Sequence, residues 1–520
     1  MKKILIGVFT LFAINACDTD ALIDLNVNPQ AVNQVDLNFL MSSAQLGTAS
    51  GGSRGDNRYI DWRTNMGMCA HAIQQIANVG GGIAPGDKYT DNSETNTAPW
   101  EFLYNDVLQN LAEIIRQTDA GGYAEGKNKN LRQAARILKA YNFMRLTDYY
   151  GNIPYSESLK GVSDLIFFPK YDSQQAIYTD LLKEVSEATQ AINTSNGDED
   201  FSEADLFYNG DIAKWKKFGN TLLLRMALRV SNVDANLASQ YATLAVNGGL
   251  MTSNEDICKI QMDLGPSEWT NQNGISRAFT QGDGGQPSPL SATLVDFLKN
   301  HNDPRLSILS GGVNGNTDPA AQRGLPNGLD NGGLQDLLGK AGANVLEEFS
   351  VINPKLLDDD ESYVFMNYSE AEFLLAECAE KGIGGVTGAE EHFRNGVFAA
   401  LRQYADAYKL ADGSTDQSLV IPSQEARNFA DGLAYDGMKS IYEQMWVSKF
   451  FNWWDAWSDW RRTGYPVLTP VNYPGNVTGG TIPRKLRVPN GELAINGDNF
   501  TAGGSTPNQY TTKVWWDGGN

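Results

Sequence analysis

The feature that most constrains the fold is the aromatic-rich stretch at residues 440–470, SIYEQMWVSKFFNWWDAWSDWRRTGYPVLTP. Its large apolar side chains recur at steps of three and four residues, as they do on one face of an amphipathic helix. They are Ile441, Tyr442, Met445, Trp446, Phe450, Trp453, Trp454 and Trp457. Arg461 and Arg462 suit a helix C-terminus. Gly464 can adopt the left-handed cap, and Pro466 prevents continuation. The stretch therefore predicts a central core helix that packs against other helices.

The charge balance of the chain restricts its partners. The 520 residues include 62 acidic and 41 basic side chains, which gives a formal net charge of −21. This acidic excess argues against nucleic acid as a partner and against adhesion to an anionic membrane by charge alone. With 41% hydrophobic residues, the chain is long and apolar enough to bury a large core.

Cysteine spacing excludes two small-domain classes. Cys17, Cys69, Cys258 and Cys378 are far apart and form no C-x-x-C pair. That pattern is incompatible with a dense disulfide scaffold or a zinc ribbon. We expect the last three to be buried as small apolar side chains.

The N-terminus reads as a secretory leader at residues 1–16, with Lys2 and Lys3 before an apolar run. That run is too short to span a bilayer. Residues 14–17, INAC, resemble a bacterial lipobox, so we expect Cys17 to carry lipid and anchor the mature chain, residues 17–520, to a membrane. Residues 18–20, DTD, resemble a surface-export signal, although an aspartate at this place would indicate inner-membrane retention in enteric bacteria.

Helical periodicity dominates the mature chain and predicts helices at 100–117, 131–150, 173–192, 212–230, 368–381 and 389–404. Helix pairs with small residues at close contacts are typical of tetratricopeptide solenoids, although no strict repeat period is visible. Residues 265–289 and 311–342 are rich in Gly, Asn, Pro and Asp and predict long loops within a looser section at about 232–367. We therefore predict an all-α fold: one tetratricopeptide-like helical-repeat domain with loop-rich insertions and little strand.

Several strings, taken in order, carry a family resemblance. LRQAARILKAYNFMRLTDYYGNIPYSES, WKKFGNTLLLRMALR, MNYSEAEFLLAE and AEEHFRNGVFAAL precede WSDWRRTGYP, and RKLRVP and VWWD follow it. Together they resemble the SusD/RagB family of nutrient-binding outer-membrane lipoproteins. Lys485 and Val488 depart from the arginine and the aromatic residue usual there. The resemblance implies a lipid-anchored, cell-surface protein of the outer membrane that serves polysaccharide utilisation. Such a protein binds an oligosaccharide, or another oligomeric nutrient, and delivers it to a SusC-like TonB-dependent transporter.

No catalytic or metal-binding motif stands out. There are three histidines, and no HExxH, Gly-x-Ser-x-Gly, P-loop or dinucleotide fingerprint. The carboxylate run at 358–361 predicts a solvated turn, with a calcium site or a partner contact as the alternative. No acidic pair is singled out for glycoside hydrolysis. We therefore predict a binding protein without enzymatic activity, cofactor or metal.

The resemblance also implies where ligand binds, namely on two loops. Sugar recognition needs flat aromatic faces together with amide or carboxylate groups that meet hydroxyls. The residues implied are Tyr89, Asn92 and Asn96 in the first loop, Trp269, Asn271 and Gln272 in the second, and Trp62 as an addition. Arg461 and Arg462 are expected to pair with core carboxylates rather than with ligand.

Three alternatives stay open at this point. The ligand could be a peptide instead of a glycan, since the family serves both. A helical-repeat assembly adaptor would bind a protein partner and no small ligand. A lipid-anchored enzyme, such as a glycoside hydrolase, would show turnover that depends on one acidic pair.

Overall fold

The computed structural model describes residues 34–50, 59–80, 86–161, 163–195, 201–265, 271–280, 288–340, 345–410 and 413–519. The predicted leader, Cys17 and Trp269 lie outside these ranges. In chain order the α-helices are Leu37–Thr48, Ser93–Phe102, Gln109–Thr118, Lys129–Tyr150, Gln174–Ala191, Phe201–Ala204, Ile212–Arg229, Ala235–Gly248, Gly274–Thr280, Ala292–Asn300, Arg305–Leu309, Asn331–Leu338, Tyr368–Lys381, Ala389–Ala407, Ser423–Gly432, Met438–Ser448, Trp453–Thr463 and Asn490–Ala502. Two segments are π-helical, Ile60–Ala70 and Leu103–Leu108.

In the described residues, the strands are short and form three antiparallel pairs. They are Ile153–Pro154 with Tyr171–Asp172, Cys258–Ile260 with Tyr363–Met366, and Ser310–Val313 with Ser350–Ile352. None exceeds four residues, so the sheets fasten loops to the helical body and do not form a layer of their own. The predicted mainly α-helical fold is confirmed.

The helices stack as neighbouring pairs. Lys129–Tyr150 packs on Gln174–Ala191, which packs on Ile212–Arg229, and a second pair joins Tyr368–Lys381 to Ala389–Ala407. Gly219 shows how closely three of these helices approach, because a Cβ placed there would lie 2.4 Å from Thr189 Cγ2 and 2.9 Å from Ile137 Cδ1. Small residues at helix contacts thus serve the predicted tetratricopeptide-like packing.

Two predictions about element boundaries need correction. The loose section between 232 and 367 is more helical than expected: Gly274–Thr280 and Asn331–Leu338 occupy parts of the two predicted loops. The helix predicted from residue 100 begins earlier, at Ser93, and runs through the π-helical Leu103–Leu108 to Thr118. Asn92 explains the earlier start, because its side chain accepts a hydrogen bond from the Thr95 amide and caps the helix.

The central stretch is two helices rather than one. Met438–Ser448 ends, the backbone turns through Phe451 at a φ of 79°, and Trp453–Thr463 begins. The break directs Lys449 onto buried carboxylates and Asn452 onto the Phe365 carbonyl. An apolar pattern of period 3.6 continues across this turn, so periodicity alone could not detect it.

The predicted core role of the stretch is correct. The indoles of Trp453, Trp454 and Trp457 are at most 1% exposed. Cys69, Cys258 and Cys378 are buried free thiols, as expected. Within the described ranges, no helix combines the length and apolar character needed to cross a membrane.

Candidate ligand-binding site

A groove opens where the π-helical segment Ile60–Ala70 meets the helix Ser93–Phe102. Two reciprocal hydrogen bonds join these elements: the Thr64 hydroxyl donates to the Thr95 carbonyl, and the Thr95 hydroxyl donates to the Arg63 carbonyl, both at 2.8 Å. π-helical turns are uncommon and concentrate at functional sites. The floor of the groove is therefore a π-helical segment hydrogen-bonded to a capped helix.

The groove encloses about 440 Å³. Its lining residues are Tyr59, Arg63, Ser93, Glu94, Thr97, Ala98, Glu101 and Phe102. The Tyr59 ring lies 6.4 Å from that of Phe102 and 5.2 Å from that of Trp62, measured between centroids. The site thus combines aromatic rings with hydroxyl and carboxylate groups, which is the chemistry that recognises the two faces of a sugar.

Charge in the groove is organised by Arg63. Its guanidinium stacks 3.7 Å above the Trp62 ring and forms an ion pair of 2.9 Å with Glu94. Glu94 is exposed, with 61% of its side chain accessible, so its carboxylate remains available to a ligand. Glu101 is a second exposed carboxylate one helical turn beyond Thr97.

Neither the predicted first-loop residues nor Trp62 are among the residues that line this groove, and their contact with ligand stays a prediction. Trp62 lies beneath Arg63 and is 6% exposed, and Asn92 caps the groove helix. Asn96 is buried, donates to the Tyr510 hydroxyl at 2.7 Å and accepts from the Arg487 amide. Asn96 therefore holds the C-terminal segment against the helix.

Tyr89 faces away from solvent. It is 2% exposed, and its hydroxyl accepts from the Val471 amide at 3.3 Å. Burial raises the pKa of this phenol to about 12. In this structure Tyr89 is a packing residue, and its contact with ligand stays a prediction.

Asn271 and Gln272, the described residues of the second predicted site loop, precede a helix that contacts the π-helical segment. Asn271 closes a turn by accepting from the Asp263 amide and donating to the Gly265 carbonyl. Gln272 is buried and precedes Gly274–Thr280, which packs on the π-helical segment Ile60–Ala70. Both loops therefore flank one segment, while ligand contact by Asn271, Gln272 and Trp269 stays a prediction.

The carboxylate run at 358–361 is only partly the solvated turn that was expected. Asp358 is exposed, but Glu361 is 5% exposed. Burial, together with the nearby Asp358, raises the pKa of Glu361 to about 8. Within the described part of the chain, no group of three or more His, Cys, Asp and Glu side chains is arranged to hold a metal ion.

A larger cavity of about 970 Å³ lies among the first helix pairs. Its polar groups mostly satisfy one another: the Tyr155 hydroxyl donates to Asp180 at 2.6 Å, and Ser156 donates to Asp172 at 2.9 Å. Desolvation lowers the pKa of Lys139, which faces this space. With its side chains already paired, this cavity is the weaker candidate.

Sequence reasoning missed the residues that line the groove. Tyr59, Arg63, Glu94 and Glu101 were not singled out, because the π-helical segment has no helical apolar period to reveal it. One signal was present: Ser93, Thr97 and Glu101 recur every four residues after the capping Asn92, which marks a polar face on that helix.

Comparisons with known proteins agree on the family. Residues 29–489 match a SusD-like family described as "starch-binding associating with outer membrane". A solved structure named "chitin-binding protein" is 30% identical, with a TM-score of 0.78 over 93% of this chain and 100% of that one. No curated protein matches.

Two further structures support the fold. A chitin-binding SusD homologue from Flavobacterium johnsoniae is 23% identical, with a TM-score of 0.71 over 93% of this chain and 99% of that one. A SusD/RagB family protein from Bacteroides thetaiotaomicron is 22% identical, with a TM-score of 0.73 over 94% and 100% of the two chains. The family match spans most of the sequence, and the chain belongs to the SusD/RagB family, a family of glycan-binding proteins associated with the outer membrane.

Proposed function

We propose that this protein captures an oligosaccharide at the outside of the outer membrane and delivers it to a SusC-like TonB-dependent transporter. The mature chain, residues 17–520, acts as one domain held at the membrane by lipid on Cys17. The observation that carries the proposal is the groove, where aromatic rings and carboxylates share one floor. The relative named as chitin-binding makes β-linked N-acetylglucosamine oligomers the first ligand to try.

Binding in this groove needs no chemical step. The Tyr59 and Phe102 rings present apolar surface to the C–H face of a pyranose. Ser93, Thr97 and Glu101 offer hydroxyl and carboxylate oxygens to sugar hydroxyls. Glu94 keeps Arg63 in place over the groove.

Calorimetry on the chain from residue 18, with N-acetylglucosamine, glucose and uronate oligomers and a peptide mixture, tests the ligand class. Tyr59→Ala is expected to weaken glycan binding about tenfold, because loss of a stacking ring costs roughly 1.4 kcal/mol. Tyr435→Ala is the matched control, since Tyr435 is also half-buried but lies elsewhere, with its hydroxyl on Glu380. Trp269→Ala, with Gln272→Ala beside it, tests the second loop in the same assay.

The outcomes separate the remaining alternatives. Saturable binding of peptides alone would replace glycan by peptide as the ligand. If no glycan or peptide in the panel binds and a stable protein partner is found, the chain is an assembly adaptor. Shortened oligomers in the calorimeter cell would reveal hydrolysis and a catalytic function.

The anchor and the partner need separate tests. Cells fed labelled palmitate should label the wild-type chain and not Cys17→Ser, and protease added to intact cells should degrade the anchored protein if it faces outward. Mild detergent extraction should recover a TonB-dependent barrel with the tagged chain. Loss of labelling only would overturn the anchor and leave ligand capture standing.

A further inference from the structure

The surface of the protein carries an aromatic patch that the ligand groove does not use. Among the described residues only three phenylalanines are exposed: Phe39 at 73%, Phe167 at 67% and Phe168 at 61%. Leu165 at 72% and Ile495 at 69% accompany them. We call Leu165, Phe167, Phe168 and Ile495 the apolar patch. Clustered exposed hydrophobics mark a surface that contacts something.

Hydrogen bonds hold the patch in place. The Asn499 amide donates to the Phe168 carbonyl at 3.0 Å, and the Asn496 amide donates to the Pro169 carbonyl at 2.9 Å. Both asparagines lie on Asn490–Ala502, the helix that carries Ile495. The loop and the helix thus form one apolar surface fastened at two points.

The backbone shows that the patch is a built feature. Leu165 adopts a φ of 57°, in the left-handed region that a leucine enters only at a cost in free energy. In the isolated chain this conformation gains no burial for the side chain, which stays exposed. The Asp164 and Ile166 amides both donate to the Lys160 carbonyl, and this turn presents the Leu165 side chain at the surface.

The patch lies beside the place where the N-terminal segment enters the fold. Leu40 lines the same 970 Å³ cavity as Ser163 and Asp164, which directly precede Leu165. Phe39, the other exposed phenylalanine, is next to Leu40. Sixteen residues, 18–33, separate Cys17 from the first described residue, and such a segment spans at most about 55 Å. The anchor and the patch are therefore within reach of the same membrane surface.

We propose that the apolar patch rests in the interfacial region of the lipid bilayer to which the chain is anchored. This inference rests on the proposed lipid anchor. Phenylalanine and leucine partition into the boundary between headgroups and acyl chains, and a single anchoring signal gains from a second. Lys160 and Lys170 are exposed at the two ends of the loop, with Lys170 3.8 Å from Glu157, and the exposed Asp164 lies between them.

The apolar patch contacts a bilayer rather than a charged polymer because its exposed side chains are apolar. A chain with a net charge of −21 gains no general attraction to an anionic surface, so insertion of rings must supply the contact. Contact at the anchor and at the patch fixes how the domain faces the membrane. The patch therefore supplies an orientation that attachment at a single point cannot.

Site-directed spin labelling of the acylated full chain tests the inference. Cys69, Cys258 and Cys378 are fully buried, so a cysteine introduced at Phe167 takes the label selectively. Leu337→Cys is the control, because Leu337 is 45% exposed on a helix that packs in a separate small core with Val79 and Phe349. Both proteins are reconstituted into phosphatidylcholine–phosphatidylethanolamine vesicles and floated before the spectra are recorded.

The label at Phe167→Cys is expected to lose most collisions with a water-soluble nickel chelate on reconstitution and to gain collisions with oxygen, whereas the label at Leu337→Cys is unchanged. Equal access of the chelate to both labels in floating vesicles would overturn the bilayer contact of the patch and leave the lipid anchor intact. Failure to float would overturn the anchor and the inference with it. Shielding of Phe167→Cys only in native outer-membrane fragments would assign the patch to a protein partner and overturn the bilayer contact.

Discussion

Buried charges meet where the central helices converge. Lys449 donates to Asp455 at 2.5 Å and to Asp459 at 2.6 Å, and Arg229 donates to the same two carboxylates. Arg225 forms a bidentate pair with Glu370, both contacts at 2.6 Å. Each charge is satisfied by at least one opposite charge, which is the condition for burying ions at tolerable cost.

Replacing Asp455 tests how tightly this network is balanced. Asp455→Asn leaves Arg229 and Lys449 with excess buried positive charge, and we expect the free energy of unfolding to fall by about 3–5 kcal/mol. Urea unfolding followed by tryptophan fluorescence measures the change. Glu113→Gln removes the exposed pair with Arg116 and should cost under about 1 kcal/mol. Equal losses of unfolding free energy in Asp455→Asn and Glu113→Gln would contradict a special cost for breaking the buried network.

Glu377 predicts how stability depends on pH. Burial acts to raise the pKa of this carboxyl, but Arg462 and Lys381 beside it prevail and lower the pKa to about 2 from the ordinary 4.5. A depressed pKa stabilises the fold fully above about pH 4.5, and that stabilisation is lost as pH falls towards 2.

Over that range we expect the wild-type protein to lose about 3 kcal/mol more than Glu377→Gln, whose side chain does not titrate. Urea midpoints measured between pH 6 and pH 2 should therefore approach each other for the two proteins as acid is added. A gap that stays constant with pH would show that Glu377 stabilises the fold by shape and not by charge.

For these arginines, the sequence predicted burial in the core better than it predicted their hydrogen-bond acceptors. Arg462 pairs with the buried Glu377 at 2.5 and 2.7 Å, as expected. Arg461 instead donates to the carbonyls of Asp148 and Arg484 and stacks 3.7 Å over Trp457. Burial of arginine under tryptophan was predictable from the helical face, but the choice between carboxylate and carbonyl depends on segments that lie between 23 and 313 residues away along the chain.

Among the elements, the end of Trp453–Thr463 follows its local sequence closely. Gly464 adopts a φ of 78°, and its amide donates to the Trp460 carbonyl. Helix caps are local, so Gly464 and Pro466 sufficed to predict this end. The break between the two central helices depends on Lys449 meeting carboxylates from elsewhere, which no local pattern encodes.

Gly464→Ala isolates the backbone effect at that cap. An added Cβ would meet nothing within 4 Å, so the loss comes from the left-handed conformation alone and should be about 1 kcal/mol. Gly491→Ala is the matched control, since its Cβ also meets nothing but its backbone is not left-handed. That variant should be neutral or more stable by up to about 1 kcal/mol. In thermal melts, the melting temperature of Gly464→Ala should fall, whereas that of Gly491→Ala should stay the same or rise.

The candidate site also combines one element that local sequence predicts with one that it does not. The capped helix Ser93–Phe102 could be inferred from Asn92, but the π-helical floor opposite it could not. A π turn needs tertiary contacts such as those between Thr64 and Thr95 to offset its poorer geometry. The groove is therefore visible only once both elements are in place.

Across the whole molecule, the C-terminal tail returns to the first helices. Trp516 is 1% exposed, and its indole donates to Asp148 at 2.8 Å while its amide donates to Gln174. The guanidiniums of Arg229 and Arg461 lie over the same ring, at 5.3 and 4.7 Å from its centroid. One residue thus joins segments from three regions of the chain.

Trp516→Ala should destabilise the protein by about 3–5 kcal/mol, because removal of a fully buried indole leaves a cavity and takes one hydrogen bond from Asp148. Trp515→Ala, one position earlier on a half-buried ring, should cost much less. Urea unfolding under identical conditions compares the two variants. Similar losses would mean that the tail is held by its backbone and not by the Trp516 side chain.

The contacts of Trp516 with Asp148 and Gln174 also determine how late in synthesis the fold can be completed. Asp148 and Gln174 meet Trp516 only after more than 300 intervening residues have been added. Contacts of such separation form late, since loop closure must precede them. The part of the core around Trp516 therefore stays incomplete until that segment has been synthesised. Arrested nascent chains that lack residues 510–520 should be degraded by a protease dose that the finished protein survives.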